Sequence, residues 1–265
     1  MPAPDLGPPQ SHIRPAHPLA VHLVPAMVAP QTLAGAVVVM IDALRASVTI
    51  SSALASGARA VFPALTVEDA LTRSRRMQDA GAARDRIVLG GERGGVLIPG
   101  FDLDNSPLAY TSERVRGKDV VFTTANGTST LVHAHGAARV VIGALTNLSS
   151  VCRAVATDPR EVHIICSGTR GEISLDDCLA AGAMVERLLE AGRELGSDDS
   201  GLVCLRLWDD AKRSGVSRAM RESRGGRNLV RLGFDADIEL CSAVDAIDVL
   251  PCYDEVAGAI TLQPA

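Results

Sequence analysis

Aromatic residues make up only 3% of the 265-residue chain. That scarcity argues against a stacking platform for single-stranded nucleic acid, which needs several rings on one face. The interior must instead be assembled from the Ala, Val, Leu and Ile of the 47% hydrophobic fraction. Lysine is rarer still, since Lys118 and Lys212 are the only two among 26 basic residues. Gly117-Lys118-Asp119 has neither the upstream glycine nor the Ser or Thr of a Walker motif, so ATP-driven transfer through such a loop is excluded. Any anion site must use arginine forks or backbone amides. A formal net charge of −5 removes the footprint of a duplex binder, so no nucleic-acid partner is expected.

Cysteines 152, 166, 178, 204, 241 and 252 form no CxxC pair and no zinc spacing, and they read as small core residues. No apolar run approaches the roughly 20 residues of a membrane span. The Pro-rich start lacks the apolar stretch of a signal peptide. These absences predict a cytoplasmic protein without a membrane partner, with a disordered tail over residues 1–19 and one α/β domain over residues 20–262. Monomer and homo-oligomer both remain open.

From about residue 20, short apolar runs alternate with helical patterns. Strands are expected at 21–25, 36–42, 60–63, 86–89, 119–123, 139–143, 161–166 and 246–251. Helices are expected at 43–56, 67–80, 128–135, 148–156, 174–195, 217–223, 226–232 and 235–241. Val-Val-Val-Met-Ile and Val-His-Ile-Ile-Cys are continuous rather than alternating, which indicates strands buried on both faces. The alternation predicts a layered α/β/α protein with a largely parallel or mixed central sheet.

In such folds, ligands sit outside the carboxyl ends of the strands. Four post-strand turns carry polar residues: Asp42-Ala-Leu-Arg45-Ala-Ser47, Gly90-Gly-Glu92-Arg93-Gly-Gly95, Thr123-Thr124-Ala-Asn126-Gly127-Thr128 and Ser167-Gly168-Thr169-Arg170-Gly171-Glu172. The third could cradle an oxyanion with amides and hydroxyls, or simply cap a helix. In the fourth, Arg170 can fork onto two anionic oxygens beside Glu172. Asp176 and Asp177 follow, where helix capping accounts for them equally well. Glu92 and Arg93 could form a surface salt bridge and nothing more, and Asp42 could merely cap its helix. As a set, Asp42, Glu92 and Glu172 with Arg45, Arg93 and Arg170 suit a small, multiply anionic substrate with Mg²⁺ shared between carboxylate and phosphate.

The histidines add little, because His12, His17 and His22 lie in or near the tail, His133 and His135 late on a helix, and His163 in a buried strand. Cys166 and Arg170 are too close together for a thiolate phosphate loop. Asp102-Leu-Asp104-Asn105-Ser106 has the look of an aspartyl-phosphate motif, but Pro99-Gly100 and Pro107 interrupt it.

Together the blocks VVVMIDALRASVTI, GGERGGVLIPGFDLDNSP, VFTTANGTSTL, CSGTRGEISLDDCLAAGA and the looser GGRNLVRLGFDADIELCSAVD resemble the ComB family, the 2-phosphosulfolactate phosphatases. The likeness runs from about Val21 to Pro251. Asp104 stands where the family has glycine, Ala43 replaces valine, and Ala125 replaces a threonine or similar small residue. The resemblance implies a Mg²⁺-dependent, cytosolic acid-type phosphatase that converts 2-phospho-3-sulfolactate to 3-sulfolactate and phosphate, a step towards coenzyme M.

On that basis Asp42, Glu92, Glu172 and Asp176 are expected to hold or orient Mg²⁺, with Asp42, Glu92, Arg170 and Glu172 as the catalytic group. Arg45 and Arg170 are expected to bind phosphate or sulfonate, and Asn126, Gly127 and Thr128 to cradle a second anion. Ser47, Arg93, Asn105, Ser106, Thr124, Gly168, Thr169 and Gly171 complete the expected substrate contacts. The alternatives are a phosphatase for another phosphorylated hydroxy acid and a non-catalytic anion-binding sensor.

Overall fold

The computed structural model describes residues 17–124 and 127–263. Eleven strands form one mixed sheet in the order β5-β4-β6-β3-β11-β10-β7-β2-β8-β1-β9. The strands are β1 (Pro18–His22), β2 (Val37–Ile41), β3 (Ala60–Pro63), β4 (Ile87–Arg93), β5 (Val96–Leu97), β6 (Asp119–Thr123), β7 (Arg139–Gly143), β8 (Val162–Cys166), β9 (Glu194–Leu195), β10 (Pro251–Asp254) and β11 (Ala259–Leu262). Two parallel sets, β4-β6-β3 and β7-β2-β8-β1-β9, are joined by the β10–β11 hairpin, which runs antiparallel to the neighbour on each side. The two sets therefore run in opposite directions.

The continuous apolar strands are covered on both faces, as their composition requires. In β2, Val37, Val39 and Ile41 join one core with α5 (Leu148–Ala156), α6 (Leu175–Glu190) and α7 (Ser200–Ser214). Val38 and Met40 join the opposite core with α1 (Ala46–Ala55) and Leu131 of α4 (Gly127–His133). Period-two alternation thus produces the expected three layers. A third core packs α2 (Val67–Asp79) on β4 and β6 through Ala70, Leu89 and Val121. Helix α1 is buried from Ala46 to Leu54 and touches β3, β7 and β10. It thus packs across the junction between the two opposed sets. Helices α6 and α7 pack closely because Gly182 lacks a Cβ, which would stand 2.1 Å from the Cys204 carbonyl oxygen. The short α3 (Ser112–Val115) and the run α8 (Val216–Glu222), α9 (Arg224–Leu232) and α10 (Asp235–Ser242) complete the helices among the described residues.

Several expected boundaries need correction. Residues 1–16 of the expected tail lie outside the described residues, but Pro18 and Leu19 belong to β1, where Leu19 pairs with Val162. The first strand thus starts three residues earlier than expected. The helix expected over 174–195 stops at Glu190, and Glu194–Leu195 forms an edge strand on β1 instead. Helix α7 was not expected, because Leu202 and Val203 are exposed while Cys204 and Trp208 are buried, which blurs the apolar period. Residues 246–250 are not a strand, since Ile247 donates its N–H to Thr146 and Val249 accepts from Asn147. The strand begins at Pro251 and pairs with β11.

Candidate active site

Asp42 follows β2 directly. Its N–H donates to Ser47 Oγ (2.9 Å), and its Oδ1 accepts the Ala46 N–H (3.1 Å), so the carboxylate caps α1. Ser47 is fully buried and serves that cap rather than the cleft. Gly127 also donates its N–H to Asp42, and a Cβ on Gly127 would stand 2.9 Å from Asp42 Oδ2. Despite these donors, burial pushes the Asp42 carboxyl up to about 7, with the charges of Asp176 and Glu92 adding to the effect. Such a carboxylate calls for a positive complement.

Glu92 is the last residue but one of β4, and its Oε2 accepts the Gly95 N–H (2.7 Å). The Gly95 carbonyl accepts from Arg45 Nη2 (3.0 Å), while Arg45 Nη1 pairs with the buried Asp237 and its guanidinium lies 4.5 Å from the Phe234 ring centroid. Arg45, an expected substrate contact, lines the cleft, and its charge is met by Asp237. Ser106 donates to the same carboxylate (2.7 Å), so it too is occupied within the framework. Arg93 donates to the Glu92 carbonyl and to Thr123 Oγ1.

Asp177 bridges the two post-strand turns by accepting the Ala43 N–H at 2.8 Å and the Gly168 N–H at 2.9 Å. Asp176 is buried, accepts the Ser174 hydroxyl (2.7 Å) and does not line the cleft. Burial raises both carboxyls, and their mutual charge adds to the shift of Asp177. In the turn after β8, Gly168 and Gly171 have positive φ, and Thr169 and Glu172 bond to each other through their main chains. Arg170 is exposed and lines the cleft. Glu172 is 73% exposed and pairs with Arg224 rather than lining the cleft.

These elements enclose a cleft of about 380 Å³. Of the expected site residues, Asp42, Arg45, Glu92, Asn105, Thr124, Thr169 and Arg170 line it. Ser47, Arg93, Ser106, Gly127, Gly168, Gly171, Glu172 and Asp176 do not, and Thr128 faces a separate depression beside Arg73 and Tyr253. Asn126 lies outside the described residues. Asn105 Oδ1 and Thr124 Oγ1 are buried in the cleft wall without a hydrogen-bond partner among the described residues. Buried polar atoms are normally satisfied, so these two point to a ligand.

Helix α9, which holds none of the expected site residues, adds three polar side chains to the lining: Arg224, Asn228 and Arg231. Their i, i+4, i+7 spacing puts them on one helix face, a signal present in RGGRNLVRL but masked by the general abundance of arginine. As a donor set, two carboxylates with amide and hydroxyl oxygens fit Mg²⁺, which is commonly held by one or two carboxylates plus water and phosphate oxygens. No group of three or more His, Cys, Asp or Glu suited to a metal occurs among the described residues, so an all-protein cage is not built.

Neither the aspartyl-phosphate nor the thiolate alternative gains support from this geometry. Asp102 pairs with Arg84, Asp104 accepts the Ser106 N–H, and a bond to Cys178, followed by burial, pushes the Cys166 thiol up. No helix among the described residues is long and apolar enough to cross a membrane.

A family model described as 2-phosphosulpholactate phosphatase matches residues 22–256. Three proteins, each named a probable 2-phosphosulfolactate phosphatase, are similar over most of their length. The protein of Symbiobacterium thermophilum is 41% identical over 85% of this chain and 94% of its own. That of Caldanaerobacter subterraneus is 39% identical over 81% and 86%, and that of Clostridium beijerinckii 36% over 86% and 92%. A match spanning β1 to the β10–β11 turn, carried through every strand that feeds the cleft, shows that the chain belongs to the 2-phosphosulpholactate phosphatase family.

Proposed function

We propose that this chain is a Mg²⁺-dependent phosphoric monoester hydrolase that converts 2-phospho-3-sulfolactate and water to 3-sulfolactate and phosphate. The observation that carries the proposal is the cleft itself. Two buried carboxylates, Asp42 and Glu92, and two unpartnered oxygens, of Asn105 and Thr124, share its lining with arginines 170, 224 and 231. Asp42 and Glu92 would hold Mg²⁺, which when bound supplies charge neutralisation at the phosphate oxygens. Binding a cation would also return Asp42 to its carboxylate form, offsetting the burial that raises it. Asn105 Oδ1, an acceptor, would face the cation, the Thr124 hydroxyl would donate to the phosphate, and Arg170 would hold the carboxylate.

Hydrolysis then requires positioning more than covalent chemistry. A water adds to phosphorus in line as the bond to the ester oxygen breaks, and that oxygen leaves as the hydroxyl of sulfolactate. We place the reaction in the cytoplasm, on a route towards coenzyme M, as the family resemblance implies.

The test is phosphate release across a panel of phosphorylated hydroxy acids, with and without chelator. The expected result is fastest turnover of 2-phospho-3-sulfolactate, abolished by EDTA and restored by Mg²⁺. Undiminished turnover in EDTA would remove the metal, and preference for another acid would reassign the substrate.

A further inference from the structure

We infer that α9 carries the receptor for the substrate's sulfonate, with Arg224 and Arg231 as its two forks and Glu172 as an internal stand-in that occupies Arg224 until substrate arrives. The inference rests on the proposed substrate and goes beyond it by assigning the group that distinguishes this substrate from simpler phosphorylated acids.

Two chemically different groups of residues line the cleft. Asp42 and Glu92, with the unpartnered oxygens of Asn105 and Thr124, form an acidic and neutral floor suited to a cation and the phosphate. Once a cation and the phosphate occupy that floor, its carboxylates repel a further anion such as the sulfonate. The other polar lining residues come from α9, which presents Arg224, Asn228 and Arg231 on one face. Arg45 is not available for this role, because Asp237 and the Gly95 carbonyl hold its guanidinium.

The α9 cations are placed but not consumed. Arg231 donates to Asn228 Oδ1 at 2.6 Å and pairs with no carboxylate among the described residues. Asn228 in turn donates to the Gly94 carbonyl (3.3 Å), which ties α9 to the turn that also holds Glu92. Ser223 Oγ accepts the Gly226 N–H (2.8 Å) and fixes where the helix begins. Arg224 does have a partner, Glu172, but the two side chains are 47% and 73% exposed. A pair so open to water is held weakly, and a substrate oxoanion that brings its own charge can replace the Glu172 carboxylate at little cost. Guanidinium forks suit the several oxygens of a sulfonate, which stays ionised at any working pH.

The experiment compares wild type, R224A/R231A and E172Q on two substrates, 2-phospho-3-sulfolactate and 2-phospholactate, which keeps phosphate and carboxylate but lacks the sulfonate. R224A/R231A should raise KM for the sulfonated substrate at least tenfold, change KM for 2-phospholactate less than threefold, and leave kcat on both within threefold. R224K/R231K should recover part of the loss. E172Q should lower KM for the sulfonated substrate about twofold, because the competing carboxylate is gone. Equal effects on both substrates, or none, would overturn the receptor, and an unchanged or higher KM in E172Q would overturn the stand-in.

Should wild type release no phosphate from either substrate, the functional proposal fails separately. Calorimetry with 3-sulfolactate and lactate then decides the receptor. Binding of 3-sulfolactate that is lost in R224A/R231A supports it, whereas no binding to wild type, or binding retained in the variant, refutes it.

Discussion

Arg45, at the start of α1, and Asp237, on α10, form an ion pair in which the side chains are 1% and 2% exposed. Asp237 also accepts from Ser106, and Arg45 also donates to Gly95, so the pair joins four segments around the cleft. Removing one partner leaves the other charge buried and uncompensated, which costs about 3–5 kcal/mol. D237N should lose that much stability in urea unfolding, while R45M/D237L should recover most of it. A loss below about 1 kcal/mol in D237N would show that the pair does not hold these segments together.

Asp42 is a case where activity and stability should move in opposite directions. Its folded-state value of about 7 lies above the ordinary 3.8, so the folded protein prefers the protonated form. The destabilisation is absent below about pH 4 and grows as pH rises towards 7, where the carboxylate is charged and buried. D42N removes that charge in nearly the same volume. Turnover should fall at least about a hundredfold, roughly 2.7 kcal/mol of barrier. In EDTA at pH 8, the melting temperature should rise. A variant that is less stable under those conditions would show that the carboxylate's bonds to the Ala46 and Gly127 N–H groups outweigh its burial.

The parts of this molecule that could be read from the chain are those where cause and position are adjacent. Val37–Ile41 and Val162–Cys166 read as buried strands because every residue is apolar or tolerates burial. Asp42, Glu92 and Thr124 could be proposed because each follows or ends such a strand, where α/β folds place their ligands. The partner of Arg45 could not, since Asp237 is 192 residues away and carries no local sign of its role. The α9 cations escaped notice because the post-strand rule does not reach a helix that arrives from a run of helices. The opposed directions of the two parallel sets were hidden as well, because they depend on the hairpin of Pro251–Asp254 and Ala259–Leu262, two strands of four residues each.

Gly91 should tolerate no side chain. Its φ is +142°, and a Cβ there would stand 2.0 Å from the Thr123 carbonyl oxygen of the neighbouring strand β6. Neither backbone can yield without breaking the ladder that places Glu92 and Thr124 at the cleft. G91A should destabilise the protein by more than about 2 kcal/mol in urea unfolding. It should also lower kcat, because Glu92 is the next residue. Wild-type stability in G91A would mean that β4 and β6 separate more easily than their register implies.

Acid sensitivity should be traceable to His22. Its Nε2 lies 2.9 Å from Nδ1 of the buried His163, the two rings stack at 5.3 Å, and burial pushes the His22 imidazole down to about 4. His163 and His133 push in the same direction, and Asp198 opposes them. Because the folded-state value lies below the ordinary 6.5, the folded protein binds fewer protons than the unfolded chain in this range. His22 therefore costs nothing above about pH 6.5, and stability is lost progressively as pH falls from there towards 4. Between pH 7 and pH 5 the melting temperature of wild type should drop by about 3 °C more than that of H22N. Equal drops in the two proteins would locate the acid sensitivity elsewhere, in groups that do not touch the β1–β8 pairing.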